Sequence, residues 1–214
     1  MLPKAPESIL DASGQPNEGT YRGVPRDLSL SRLSTVSRLT RCTGQKRWLY
    51  VGLFSEELVA GGCVVDLTYL ANGFAFAFRT GDGELVDHHH LGPRLRQVVP
   101  DDPTKGAARF ALPRARVEVH NAVQADGQRR LDVRMGGGHK RLRMNLIVED
   151  DGRAVEPLCA ITRLPEGRAS FTHKVVGLPV HGEVTMGGRR LEIENALAAV
   201  DYTHCLPEHH TVWY

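Results

Sequence analysis

The sequence predicts an all-β protein, a predominantly antiparallel sheet forming a barrel, and three observations predict it. Apolar residues recur with period two: Leu131, Val133 and Met135 alternate with Arg130, Asp132 and Arg134, and Leu142, Met144, Leu146 and Val148 continue the pattern. That is the side-chain period of a half-buried strand. The runs are joined by short links, Asp126-Gly127, Gly136-Gly137-Gly138 and Gly187-Gly188, which suit hairpins rather than crossovers. Strands with one polar face fit a barrel or sandwich better than a parallel sheet buried on both sides.

The elements follow in order. Residues 1–44 form a leader. Its first 27 residues are rich in Gly, Pro and polar groups, and Leu30, Leu33, Val36 and Leu39 then recur every third residue, which predicts a short helix over 28–41. Trp48 to Phe54 reads as a strand, and Leu58 to Leu70 as a long, glycine-interrupted, bent one. Asn72-Gly73 signals a hairpin. After it Phe74, Phe76 and Phe78 alternate with Ala75 and Ala77, which places the rings on one face, toward a core or a cavity. Asp82-Gly83 makes the next turn, a short strand follows, and the Pro-bearing stretch 91–113 is a long connection. Strands around 117–148 form a meander, and 180–186 with 189–200 a second hairpin. The expected organisation is a leader over 1–44, a barrel-like unit over 45–155 and the start of a second β unit over 156–214. The sequence closes on Thr211-Val212-Trp213-Tyr214, a β-forming run; a strand there leaves a sheet unfinished, so the expectation is an N-terminal portion of a longer protein.

Composition bounds the function. A chain of 214 residues can bury a sizeable core. The net charge of +2 gives no global reason to expect nucleic acid. No run of 18 apolar residues occurs, so no membrane-spanning helix is expected. The four cysteines, Cys42, Cys63, Cys159 and Cys205, lie far apart without CxxC spacing, as in a cytoplasmic protein with reduced thiols and neither a disulfide framework nor a zinc site. No cofactor motif is present: Gly136-Gly137-Gly138 lacks the Walker pattern and precedes a strand. The basic stretch from Arg22 to Arg47 lacks the aromatic platforms of a single-strand binder.

Two stretches resemble a known family. Leu10, Gly14, Gly19, Arg22 and Pro25, then Lys46 and Trp48, then Asp66 and Tyr69 match the N-terminal half of the family known as domain of unknown function 2804. Arg47 departs from the acidic residue that relatives often carry there. The closing segment from Asp201 to Tyr214 resembles that family's aspartate-containing segment leading to a Thr-x-Trp motif, here Thr211 and Trp213. In relatives the chain continues with a glycine-rich strand region. The resemblance implies a lipocalin-like architecture similar to carotenoid hydratases, with two β-barrel domains side by side, in which some relatives bind or transform apolar terpenoid or polyketide substrates.

Candidate sites follow. Asp201, Tyr202, His204, Glu208, His209 and His210 form the strongest polar cluster. Asp201 and His204 suit an acid–base pair with Tyr202 as a positioning hydroxyl; a polar loop between two strands, punctuated by Pro207, is the plainer reading of the cluster. His88, His89 and His90 cannot all ligate one ion from a regular strand, and no metal is expected. Asp66, in an apolar strand, needs a partner, and Arg79 is the structural candidate. Cys205 beside His204 is not a nucleophile pair, since neighbours on a strand point apart.

Three functions therefore stand. The first is binding of an apolar or amphipathic small molecule in a barrel cavity, with Trp48, Phe74, Phe76, Phe78 and Trp213 as lining and Asp66, Tyr69 and Thr211 beside them. The second is a hydratase, isomerase or cyclase using Asp201, His204 and Tyr202. The third is a scaffold without a small-molecule site.

Overall fold

Thirteen regular elements and two short 3-10 turns follow one another in the structure, a computed structural model that describes residues 1–94, 98–112, 117–150 and 155–208. In chain order they are β1 (Gly19–Arg22), α1 (Arg38–Thr43), β2 (Lys46–Phe54), β3 (Leu58–Asp66), β4 (Leu70–Arg79), β5 (Leu85–Pro93), β6 (Ala107–Leu112), β7 (Val117–Val123), β8 (Arg129–Met135), β9 (Leu142–Val148), β10 (Leu158–Leu164), β11 (Arg168–Met186) and β12 (Arg189–Cys205). Every strand pairs antiparallel, in the order β5-β4-β3-β2-β12-β11-β9-β8-β7-β6, with β10 on β11 and β1 on β10. β11 has 19 residues and serves two partners: β10 along its first part and β9 from Val180 to Met186. Register shifts beside Gly177 and His181 bend it between the two.

The sheet curls until β3 and β4 face β6 and β7, an almost closed antiparallel barrel. Its interior is made by complementary sizes. Ala60 and Gly62 of β3 and Ala71, Gly73, Ala75 and Ala77 of β4 present a low surface. Large side chains from the opposite wall fill it: Phe110 lies directly on Gly73, and Leu131 and Val133 on Gly62. The barrel is therefore a packed core, and the inward residues of β4 are the alanines rather than the phenylalanines.

The expected hairpin at Asn72-Gly73 is not there. Both residues lie inside β4, and the chain reverses at Leu67–Tyr69, where Thr68 takes a positive φ and donates its N–H to Asp66 Oδ1. The glycine at 73 serves close approach by Phe110, a requirement that arises across the barrel and not within the segment.

The expected helix over 28–41 shrinks to α1. Asp27 Oδ1 accepts from the Ser29 N–H and Ser29 Oγ from the Ser31 N–H, so side chains compete for the backbone groups a helix would use. Ser37 then caps the first turn through Thr40 N. Leu28, Leu30 and Leu33 are buried in turns, with Ile9 and Leu10, while Leu39 is exposed.

The boundary expected at 155/156 falls inside this one sheet. β12 lies between β2 and β11, with Asp201 opposite Tyr50 on one side and Lys174 on the other. This pairing joins segments about 150 residues apart, and alternation within a segment carries no information about it.

Candidate functional site

Because side chains alternate along each strand, the sheet has a second, outward face. There one cross-strand row runs Lys174, Asp201, Tyr50, Cys63, Phe74, and the next runs Thr172, Thr203, Trp48, Val65, Asn72. With Lys46, Leu67, Leu164 and Cys205 these residues, Lys174 excepted, line a cleft of about 700 Å³, a volume that suits a small organic ligand. Its walls are mostly apolar.

The floor is shaped by absent side chains. Gly52 and Gly61 sit under the Tyr50 ring so closely that a Cβ at Gly61 would lie 2.5 Å from the Tyr50 hydroxyl oxygen. Tyr50 thus lies across the sheet, stacked on Phe74 with ring centroids 6.4 Å apart and planes at 27°. Burial pushes the Tyr50 hydroxyl up to about 12, with the nearby Cys63 and Asp201 adding to the effect, so it stays protonated at neutral pH. Burial likewise raises Cys63, and takes Cys205 to about 12, which keeps both as thiols rather than thiolates.

The polar groups are few. Lys174 Nζ donates to Asp201 Oδ2 at 2.7 Å, and Asp201 Oδ1 has no partner among the described residues. The Asn72 side-chain amide meets the His89 ring, and Asn72 Oδ1 is likewise without a partner. Thr172 and Thr203 share a hydrogen bond at 3.1 Å. The two unpartnered buried atoms of the lining are thus both acceptors.

Asp201, Trp48 and Phe74, expected from the sequence, lie in this cleft. Phe76 and Phe78 share its face farther along β4, Phe78 exposed. Asp66 is buried and paired with Arg94 at 2.8 Å, not with Arg79, which binds Asp82 and Glu84. Tyr69 is exposed at the β3–β4 turn. Thr211, Trp213, His209 and His210 lie outside the described residues.

Tyr202 and His204 point away from Asp201, into the barrel, so the expected acid–base pair of Asp201 and His204 does not assemble. The alternation that separates His88, His89 and His90 applies equally to 201–204. His88 and His90 stack with centroids 6.1 Å apart, His88 Nε2 meets the Lys140 carbonyl, and no group of three possible metal ligands occurs among the described residues. Tyr50, Asn72, Thr172, Lys174 and Thr203 were not expected. Tyr50 was within reach, since it shares the face of Lys46 and Trp48 by simple alternation; the others depend on register.

The inward polar groups close one end of the barrel. Tyr202 donates to the Pro100 and Asp101 carbonyls at 3.2 and 3.1 Å. The fully buried Arg129 donates to Pro103 O at 2.6 Å, Asn121 Oδ1 at 3.1 Å and Asp150 Oδ2 at 3.1 Å. His204 lies between the Leu28 carbonyl and Gln45 Oε1. Burial, helped by Arg47 and opposed weakly by that carbonyl, lowers His204 to about 3; burial and then Arg129 lower His173 to about 4. Both imidazoles are neutral at pH 7, and His204 is held by its two partners, while His173 Nδ1 has none among the described residues.

The profile of the family described as Domain of unknown function (DUF2804) matches residues 3–214. The chain belongs to this family. No curated protein matches it. Among solved structures, this DUF2804 chain is similar to an AttH-like protein from Nitrosomonas europaea, with a TM-score of 0.50 and 12% identity over 78% of this chain and 53% of that one. It is similar also to kievitone hydratase from Nectria haematococca, with a TM-score of 0.50 and 12% identity over 82% of this chain and 53% of that one. At that identity the likeness shows the lipocalin-like fold. The DUF2804 chain spans about half the length of each of these proteins.

Proposed function

We propose that this protein binds an amphipathic small molecule in the outward cleft between Trp48, Tyr50, Phe74 and Asp201. The carrying observation is the combination in one place of an apolar cleft of about 700 Å³ with two unpartnered buried acceptors, Asp201 Oδ1 and Asn72 Oδ1. An unpaired buried acceptor costs about 1–3 kcal/mol, and a ligand hydroxyl or amine would recover that once a small side-chain rotation presents the oxygen to the cleft. The ligand this favours is an uncharged ring compound carrying a hydrogen-bond donor, its apolar body stacked on Tyr50 and Phe74. The barrel interior is filled by its own side chains, which moves the binding reading from a barrel cavity to the outside of the sheet.

The test is native mass spectrometry of protein purified gently from its host, set against the denatured mass. A released organic molecule, lost in Tyr50→Ala with Phe74→Ala, supports the reading. Retention of the molecule by that double variant, properly folded, would overturn it.

A second reading is favoured by the Lys174–Asp201 pair, a charged couple facing an apolar cleft. Asp201 would take a proton from an activated carbon of the ligand and return it to another, an isomerase-type role, or take one from a solvent water as its oxygen adds to a double bond and return it to the neighbouring carbon, a hydratase-type role, consistent with the fold shared with a hydratase. The hydroxyl of Tyr50 would position the substrate. Asp201→Asn separates the readings: it abolishes turnover while leaving binding within a few-fold if catalysis occurs.

A further inference from the structure

The cleft occupies only one end of the outward face. Toward the other end a row crosses six strands, Leu85, Phe78, Val59, Phe54, Leu197 and Pro179, with no polar side chain in it. Leu85 is 56% exposed, Leu197 52%, Phe54 46% and Phe78 37%, and Val176 in the adjoining row is 66% exposed. These five side chains leave on the order of 400 Å² of apolar surface in water, the size of the largest, often functional, patch on a monomer. The aromatic walls of the adjoining cleft bring the face toward the roughly 800 Å² per partner that a specific pair of proteins buries.

Charge divides along the same direction. Glu56, Glu57 and Glu194 are exposed around the end of the face beyond the apolar row. Lys46 lies on the face itself, toward the end with the cleft, where the charge of Lys174 is met by Asp201. A two-fold axis lying in the plane of the contact, across the strands at the middle of the face, would lay the acidic end of one copy on the Lys46 end of the other, twice over. The same rotation would set the apolar row of each copy over the cleft of its partner. An isologous contact requires such self-complementarity, and it puts an apolar core inside a charged rim.

We propose that this face joins two copies of the chain as an antiparallel pair, and that Phe54, Phe78 and Leu197 of each copy form the missing roof of its partner's cleft. The roof rests on the cleft being the ligand site; the pairing rests on the face alone.

The experiment is sedimentation equilibrium of the 214-residue protein at concentrations up to about 100 µM, with and without 1-naphthol as the probe. The expected mass is twice 23.6 kDa. Leu197→Glu and Phe54→Lys, both on exposed side chains, weaken association at least about tenfold, while Leu39→Glu, on the exposed side of α1, does not. Glu57→Lys weakens it and adding Lys46→Glu restores it, which a general loss of solubility or fold would not mimic. A monomer throughout this range, or equal dissociation by Leu39→Glu, overturns the pairing. Naphthol bound equally well by the Leu197→Glu monomer overturns the roof and leaves the binding site standing. A dimer that binds no naphthol supports the pairing and sinks the ligand reading instead.

Discussion

The two faces of one sheet, made by alternate residues of the same strands, are built to opposite rules. Inside, Ala60, Gly62, Ala71, Gly73, Ala75 and Ala77 make room for Phe110, Leu131 and Val133, and Tyr202 and Arg129 close on backbone carbonyls, though Asn121 Nδ2 and His173 Nδ1 have no partner among the described residues. Outside, the same strands carry Trp48, Tyr50, Phe74, Phe78 and Phe54, half-buried or exposed, with two carboxyl or amide oxygens left unpartnered. The inner face spends its residues on packing. The outer face leaves aromatic side chains half-buried or exposed, which is the feature the proposed binding reading rests on.

Breaking the inner face should cost most. Arg129→Ala removes three hydrogen bonds and leaves Asp150 and the Pro103 carbonyl without it, so unfolding stability should fall by about 3–5 kcal/mol in denaturant melts. A matched glycine pair sharpens the contrast. Gly73→Ala drives a Cβ into the Phe110 ring in the packed interior and should cost about 1–3 kcal/mol. Gly61→Ala meets the far end of Tyr50, which can swing into the open cleft, so stability should barely change while ligand affinity falls.

The buried imidazoles give the inner face a pH signature. Both His173 and His204 bind their proton less readily folded than unfolded. Above about pH 6.5 neither state holds that proton and stability is flat. As pH falls below 6.5 the unfolded chain takes protons that the folded one refuses, and each histidine costs on the order of 1 kcal/mol per pH unit, levelling near pH 4 for His173 and pH 3 for His204. Melts from pH 7.5 to 4.5 should show this slope, and His204→Gln should reduce it; an unchanged slope would mean that another group carries it. Asp201→Asn should matter least to folding, by about 0–1 kcal/mol, since the Lys174 pair is partly exposed.

Much of this architecture was legible in the sequence. The β8–β9 alternation and the turns at Asp126-Gly127 and Gly187-Gly188 stand where expected, because period and turn chemistry are local. Which face of β4 points inward was not legible: phenylalanine and alanine alternate perfectly, and only Phe110, more than thirty residues away, decides that alanine goes in. Nor was the site. Its central row needs Lys174, Asp201, Tyr50, Cys63 and Phe74 in register across five strands drawn from both ends of the chain. Asp201 was found from its polar neighbourhood, but the neighbours that drew attention, Tyr202 and His204, belong to the other face.

The most direct test of the outward site is a titration of the protein with 1-naphthol, an uncharged ring with one hydroxyl donor, followed by equilibrium dialysis. The wild type should bind one naphthol per chain; Tyr50→Ala should lose at least about tenfold in affinity, and Tyr202→Phe, the matching change on the inner face, should bind as the wild type does. Binding lost in Tyr202→Phe and kept in Tyr50→Ala would place the ligand inside the barrel and contradict the assignment of the two faces.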